Sequence, residues 1–205
     1  MSTRGRPRAF DPDFALRSAM NLFWERGYEG ATLTELAAVM GINKPSLYAA
    51  FGSKESLFRQ AVSLYDVTEG RRVEQALYVE PGVRNAIARF LELNLEAYTN
   101  PDKPRGCMVV LAAMIGPPES AGTREYLAAQ RAETRALLHQ RLERAVMEGE
   151  LAEGTDCNVI ADFYTTVLQG LSIQARDGAT QAQLRAIMRA AMAGWESLIA
   201  ESVAA

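Results

Sequence analysis

The sequence predicts an all-α fold, with a compact N-terminal helical unit followed by a larger helical bundle. Three observations predict it. Apolar residues return at every third or fourth position along most of the 205 residues. Helix starts and stops are marked by capping side chains and by glycines. No segment alternates apolar and polar residues over a useful strand length, and no repeat of fixed period is present. Hydrophobic residues at 48% and charged residues at 23% are ordinary values for a folded chain, so disorder is excluded as the overall state.

Each N-terminal element has its own signal. Asp11-Pro12-Asp13 opens the first helix: a capping aspartate, a proline where no N–H is needed, and an acid in the first turn. Phe14, Ala19, Met20, Leu22 and Phe23 follow on a helical face, and Gly27 ends it. Thr32-x-x-Glu35 is a capping box for a second helix running through Met40 to Gly41. Asn43 caps a third, Lys44 to Phe51, and Ser53 caps a fourth carrying Leu57, Phe58, Ala61, Leu64 and Tyr65. Beyond Gly70 the expected helices lengthen: about 83–99, a shorter apolar one at 107–115, then about 123–148, 156–175 and 180–202. Gly116-Pro117-Pro118 and the segment from Gly149 to Gly154 are the loops between them.

Composition excludes several kinds of chemistry. Two cysteines, Cys107 and Cys157, make neither a disulfide framework nor a four-ligand zinc site. The single histidine, His139, lies among charged residues and excludes a histidine pair, so neither metal nor cofactor is expected. The longest apolar run, Cys107 to Ile115, is far short of the roughly 20 residues a membrane helix needs. No apolar stretch follows the N-terminal arginines, so they do not read as a secretory signal, and a cytoplasmic protein is expected.

Charge is unevenly placed. The formal net charge is −3, yet residues 1–60 hold eight basic side chains against six acidic ones. The remainder holds 14 basic against 19 acidic. Arg4, Arg6 and Arg8 stand in a first decapeptide with no acid, which points to a polyanion partner at that end.

Residues Thr32 to Lys54 carry the functional signal. Two helices of about eight residues around the turn Gly41-Ile42-Asn43 have the proportions of a helix-turn-helix. On the second helix Leu47, Ala50 and Phe51 share a core side, leaving Lys44, Pro45, Tyr48 and Ala49 on the other. A cation, a phenol and small side chains suit close approach to a groove and its phosphates. Lys54 lies in the first turn of the next helix, where unpaired N–H groups favour a phosphate. Candidate DNA contacts are Arg4, Arg6, Arg8, Thr32, Thr34, Asn43, Lys44, Pro45, Ser46, Tyr48, Ala49 and Lys54.

The run from Thr32 to Phe58, with Gly41, Leu47-Tyr48, Phe51 and Lys54-Glu55, resembles the DNA-binding signature of TetR/AcrR transcriptional regulators. Ala19 to Thr32 resembles that family's first helix and glycine-ended turn, so the resemblance covers roughly residues 8–68. Ala50 departs from it, because many members carry histidine there. The resemblance implies an all-helical homodimer that represses or activates transcription from palindromic operator DNA, most simply a repressor, released when a small molecule or electrophile enters the C-terminal domain. The expected division is a basic arm at 1–8, a helix-turn-helix DNA-binding domain at 9–68, and an effector-binding and dimerisation bundle at 69–205.

In that bundle, Ile160, Val167, Leu168 and Leu171 form one apolar stripe, and Leu184, Ile187, Met188, Ala191, Trp195 and Leu198 form another. They are expected at a dimer seam, with intrachain burial as the competing use. Phe90, Tyr98, Cys107, Met108, Met114, Tyr126, Phe163 and Tyr164 are the expected walls of an effector pocket. Lys103 and Arg105 precede Cys107 at an expected helix start, which would favour its thiolate. Two other readings stay open: a structural DNA-binding protein without an effector, and a small helical enzyme using carboxylates such as Glu92 and Glu96. No nucleophile–base constellation supports the enzyme.

Overall fold

A computed structural model describes residues 10–203, and the arginines at positions 4, 6 and 8 lie outside the described residues. Every regular element described is helical. The N-terminal unit consists of α1 (Pro12–Gly30), α2 (Leu33–Val39), α3 (Lys44–Phe51) and α4 (Lys54–Tyr65). The caps are those the sequence marks. Asp11 accepts from the amides of Asp13 and Phe14, Thr32 and Glu35 close their capping box, and Asn43 and Ser53 accept from Ser46 and Ser56. Among the described residues no helix is long and apolar enough to cross a membrane, and no group of side chains could hold a metal ion.

A π-helical turn, Asp66–Gly70, joins α4 directly to α5 (Arg71–Val79), so the backbone stays helical from the DNA-facing unit into the bundle. Sequence reading stops at Gly70 and misses α5, although Val73, Ala76 and Leu77 are spaced for one buried face. Gly70 lies within the continuous helix and is not a helix end. A Cβ there would come 2.7 Å from the Asp66 carboxylate while the backbone keeps right-handed helical angles.

The bundle continues with α6 (Val83–Tyr98), the single turn α7 (Met108–Leu111), α8 (Ala121–Met147), α9 (Cys157–Arg176), α10 (Gln181–Ala193) and α11 (Trp195–Val203). Two expectations are corrected. The 107–115 helix shrinks to four residues, because Ala112 turns its carbonyl to the Tyr28 amide at 2.6 Å. The last helix divides at Gly194, which lets Trp195 bury against Tyr164.

Two apolar cores result. One unites α1 to α4 and also takes in Met108, Ala112, Ala113 and Leu127 from the later chain. The other gathers α5, α6 and α8 to α11 around Phe90, Leu91, Tyr164 and Trp195. Polar bonds tie the two. Trp24 Nε1 donates to the Gly106 carbonyl at 2.9 Å, and Arg176 at the end of α9 donates to the carbonyls of Trp24 and Glu25 at 2.6 and 2.9 Å. Gly27 makes the close approach possible. Its φ is 73°, and a Cβ there would meet the Ala112 carbonyl oxygen at 3.0 Å.

Candidate functional site

The exposed face of α3 is the first part of the site. Leu47 and Phe51 are buried in the N-terminal core, which turns Lys44, Pro45, Tyr48 and Ala49 to solvent. Tyr48 is 47% exposed, so its phenol is open to solvent on this face. The turn before α3 is sharp because Gly41 adopts a φ of 68°. Arg26 pairs with Glu35, fixing α2 against α1, and the Thr32 hydroxyl and amide hold the Glu35 carboxyl below the usual carboxylate range.

Three candidate contacts have other work in the fold. The side chains of Thr32 and Asn43 serve as caps, and the Ser46 amide is the group that Asn43 caps at 2.8 Å. Thr34 is exposed in the first turn of α2, beside these caps. The Lys54 ammonium lies 4.5 Å from the Tyr28 ring centre, and burial lowers its pKa. Lys54 is thus a half-buried link between α4 and α1, and what this position offers a phosphate is the N-terminal turn of α4.

The second part is a cavity between the two cores. Tyr65, the π-helical turn, α5, α6, the 107–110 segment, α8 and α9 all contribute walls. Its volume is about 80 Å³. Of the expected walls, Phe90, Tyr98 and Cys107 are present, and Leu168, placed at the seam by sequence, is also here. Five expected wall residues are corrected. Met108 is buried in the N-terminal core, Tyr126 lies under Arg59, and Met114 is exposed. Tyr164 is buried against Trp195, and Phe163 beside it is 39% exposed. Helical spacing placed these rings on faces but not on the side where the walls separate. Wall residues that sequence reading missed include Tyr65, Asp66, Glu69, Glu74, Asn94, Arg131 and Thr165. The acids at 66, 69 and 74 are the one available signal, because their spacing puts them along one side of a continuous helix.

Cys107 is not activated in the way the sequence suggests. Lys103 is paired with Glu69 at 2.7 Å, and Arg105 donates to the Ala179 carbonyl. Burial pushes the Cys107 thiol up, while the hydroxyl of Tyr65, the amides of Val110 and Val109, and the hydroxyl of Tyr98 pull it back down. Burial also raises Tyr65 and Tyr98 well above the usual phenol value.

The expected seam is redistributed. Ile160, Leu168, Leu171, Leu184 and Trp195 are buried inside the chain, and Val167, Met188, Ala191 and Leu198 are half-buried against the same core. Of that set, Ile187 stands out at 44% exposed. It joins Val159, Phe163 and Ile173, whose spacing runs down the outer face of α9. The outward stripe therefore lies one helical face away from the one the largest apolar residues mark.

Comparison with known proteins agrees with this architecture along nearly the whole chain. Residues 15–61 match the family described as bacterial regulatory proteins, tetR family, and residues 84–191 match the tetracyclin repressor-like C-terminal domain. The HTH-type transcriptional repressor ComR of Escherichia coli (strain K12) is 33% identical over 96% of this chain and 94% of its own. The repressor BdcR of the same organism is 32% identical over 93% and 90%. A solved structure of a cysteine mutant of the TetR family regulator CifR, bound to a 26-base-pair operator, is 46% identical. It superposes with a TM-score of 0.91 over 93% of this chain and all of that one. An N-terminal helix-turn-helix with an open recognition face, set on an α-helical bundle with its own cavity and matched from end to end, makes this chain a DNA-binding transcriptional regulator of the TetR family.

Proposed function

We propose that the protein is a cytoplasmic repressor without catalytic activity, which binds a palindromic operator as a homodimer and leaves it when a small molecule enters the cavity. The division into an arm at 1–8, a reading unit at 9–68 and a regulating unit at 69–205 belongs to the same proposal. The observation that carries it is the pair of bonds between the cavity wall and α1. The segment that brings Cys107, Val109 and Val110 to the cavity accepts from Trp24 at Gly106 and from Tyr28 at Ala112. The last residue of α4, Tyr65, lines the same cavity and packs edge-on against Trp24 at 4.8 Å.

Size turns these contacts into a signal. An apolar cavity of roughly 150 Å³ holds benzene, so an occupant of any useful size displaces the walls of one of about 80 Å³. The displaced walls are bonded to α1 and continuous with α4, so the reading unit moves with them. Release follows to the extent that the occupant prefers the displaced arrangement, typically 1–3 kcal/mol of coupling.

The recognition face is the part to test first. Replacing Tyr48 or Lys44 with alanine removes side chains that face away from the core, and each is expected to weaken specific DNA binding by about 1–3 kcal/mol where it meets a base edge. Helix content, followed by circular dichroism, stays at the wild-type value. Unchanged affinity in mobility shifts for both variants would remove α3 from the groove.

A further inference from the structure

One buried side chain in the cavity wall leaves its polar atom unused. Thr165 lines the cavity from α9, is 8% exposed, and its hydroxyl has no hydrogen-bond partner. Other threonines in the helices show what such a hydroxyl ordinarily does. Those of Thr68, Thr99, Thr134 and Thr166 each donate to the carbonyl four residues back, at 2.8 to 3.4 Å. Thr134 stands in the wall of the same cavity, and Thr166 is the next residue along α9. Thr165 leaves its equivalent bond, to the Ala161 carbonyl, unmade. Buried hydroxyls are nearly always paired, so an unpaired one in a cavity wall marks a place for an occupant's polar atom.

The rest of the lining narrows the kind of molecule that atom belongs to. Val73, Phe90, Val110 and Leu168 make much of it apolar. Charges of both signs stand among them, and two are already engaged. Glu69 pairs with Lys103 at 2.7 Å, and Arg131 donates to the Val109 carbonyl at 3.0 Å. Asp66 and Glu74 are half-buried, and Arg131 in the same lining offsets part of their charge. An uncharged occupant is the class that brings no unpaired ion into this space.

We propose that Thr165 is the polar anchor of a reversible site for small uncharged molecules that carry one acceptor oxygen on an apolar body, as alcohols and ethers do. The Thr165 hydroxyl donates to that oxygen, and the apolar body lies against Phe90, Val110 and Leu168. The proposal deepens the reading of the cavity as an effector site and rests on it only for the consequence at DNA.

The energetics favour such an anchor. In the empty cavity the hydroxyl is shut away from solvent, and an occupant large enough to displace the walls is what reaches it. An unpaired buried hydroxyl costs stability, and that cost is recovered when a partner arrives. The occupant therefore gains apolar contact and also a hydrogen bond that the closed arrangement does not make. This is the differential interaction a population shift requires. A hydrocarbon of the same shape fills the space but leaves the hydroxyl unpaired, so the site discriminates against it. Thr165 also shares α9 with Arg176, which donates to the Trp24 and Glu25 carbonyls, so one helix joins the anchor to α1.

The test titrates full-length protein with cyclopentanol, tetrahydropyran and methylcyclopentane, probes of equal heavy-atom count. Binding is followed by NMR at the methyl groups of Val110 and Leu168. Thr165→Val keeps the shape and removes the hydroxyl. It is expected to weaken cyclopentanol, tetrahydropyran or both by about tenfold, and to leave methylcyclopentane unchanged or tighter. Thr165→Ser keeps the hydroxyl and should hold the oxygen-bearing probes close to wild type. Thr165→Val should also melt above wild type when no probe is present, because it removes an unpaired group. A loss confined to cyclopentanol assigns the site to alcohols, and one confined to tetrahydropyran assigns it to ethers. Wild-type protein that binds none of the probes, or a valine variant that treats all of them as wild type does, would overturn the proposal. So would a valine variant that melts below wild type, because the hydroxyl would then be satisfied already, by a structural water. DNA affinity is measured separately, on a duplex the protein selects from a random-sequence pool. Bound cyclopentanol that leaves this affinity unchanged, or protein that selects no duplex, would remove the effector reading, while the titrations would still decide the anchor.

Discussion

Several residues that chemistry singles out in the sequence have structural work in the fold. Thr32 and Asn43 look like polar contacts for DNA, and both close helix ends. Thr32 gives a prediction of its own. In the folded protein its hydroxyl and amide hold the Glu35 carboxyl below the ordinary value, so that contribution is complete near neutral pH. It is lost as the pH falls through the lowered folded pKa. Thr32→Ala is expected to cost about 1 kcal/mol at neutral pH through the lost cap. It should also flatten the fall in stability toward acid, as urea midpoints measured between pH 7 and pH 3 will show. An acid limb as steep as wild type would mean that the box contributes nothing to the linkage. Cys107 was legible as unusual but for the wrong reason. Lys103 and Arg105 are engaged elsewhere, and its surroundings come from Tyr65 and Tyr98, which no local pattern connects to it.

At the scale of elements, capping chemistry made α1 to α4 readable, because each cap is decided by four consecutive residues. Burial direction in the bundle was not readable in the same way. A helix with apolar residues over much of its surface can turn either face inward, and the choice depends on partners distant in sequence. Leu171 and Leu184 therefore belong to the core, and the outward stripe is built from Val159, Phe163, Ile173 and Ile187. Gly27 shows a constraint set between elements. Its positive φ lets α1 kink against Ala112, whose carbonyl oxygen would lie only 3.0 Å from a Cβ at that position. Gly27→Ala is expected to destabilise the protein by about 1–3 kcal/mol, from left-handed strain and the clash together. Thermal unfolding measures it. A variant as stable as wild type would show that the α1–α7 contact yields without cost.

For the whole molecule, we propose that the exposed stripe on α9 and α10 is the surface a second copy of the chain covers. Glutamate at both Phe163 and Ile187 puts charge into that covered surface at two positions exposed in the single chain, with the edge contact of Phe163 on Tyr164 as the one core contact removed. Sedimentation is expected to show monomer with wild-type helix content, and DNA affinity should collapse because two half-sites need two linked recognition helices. A variant that remains dimeric moves the interface to another face. The fold and the family were legible from the first 68 residues, whereas the cavity was not, because it forms where two cores fail to meet.

The π-helical turn between α4 and α5 has a further consequence for how the chain tolerates insertions and deletions. A π turn accommodates about one residue more than an α turn, so Asp66–Gly70 carries a surplus that the surrounding helix has absorbed. Deleting one residue there lets the backbone run on as plain α-helix with the phase of both flanking helices kept. Inserting one rotates α5 by about 100° relative to α4, at 3.6 residues per turn. Val73, Ala76 and Leu77 then leave the core together. A deletion should therefore be mild where an insertion is severe, the reverse of what a flexible linker between two domains would show.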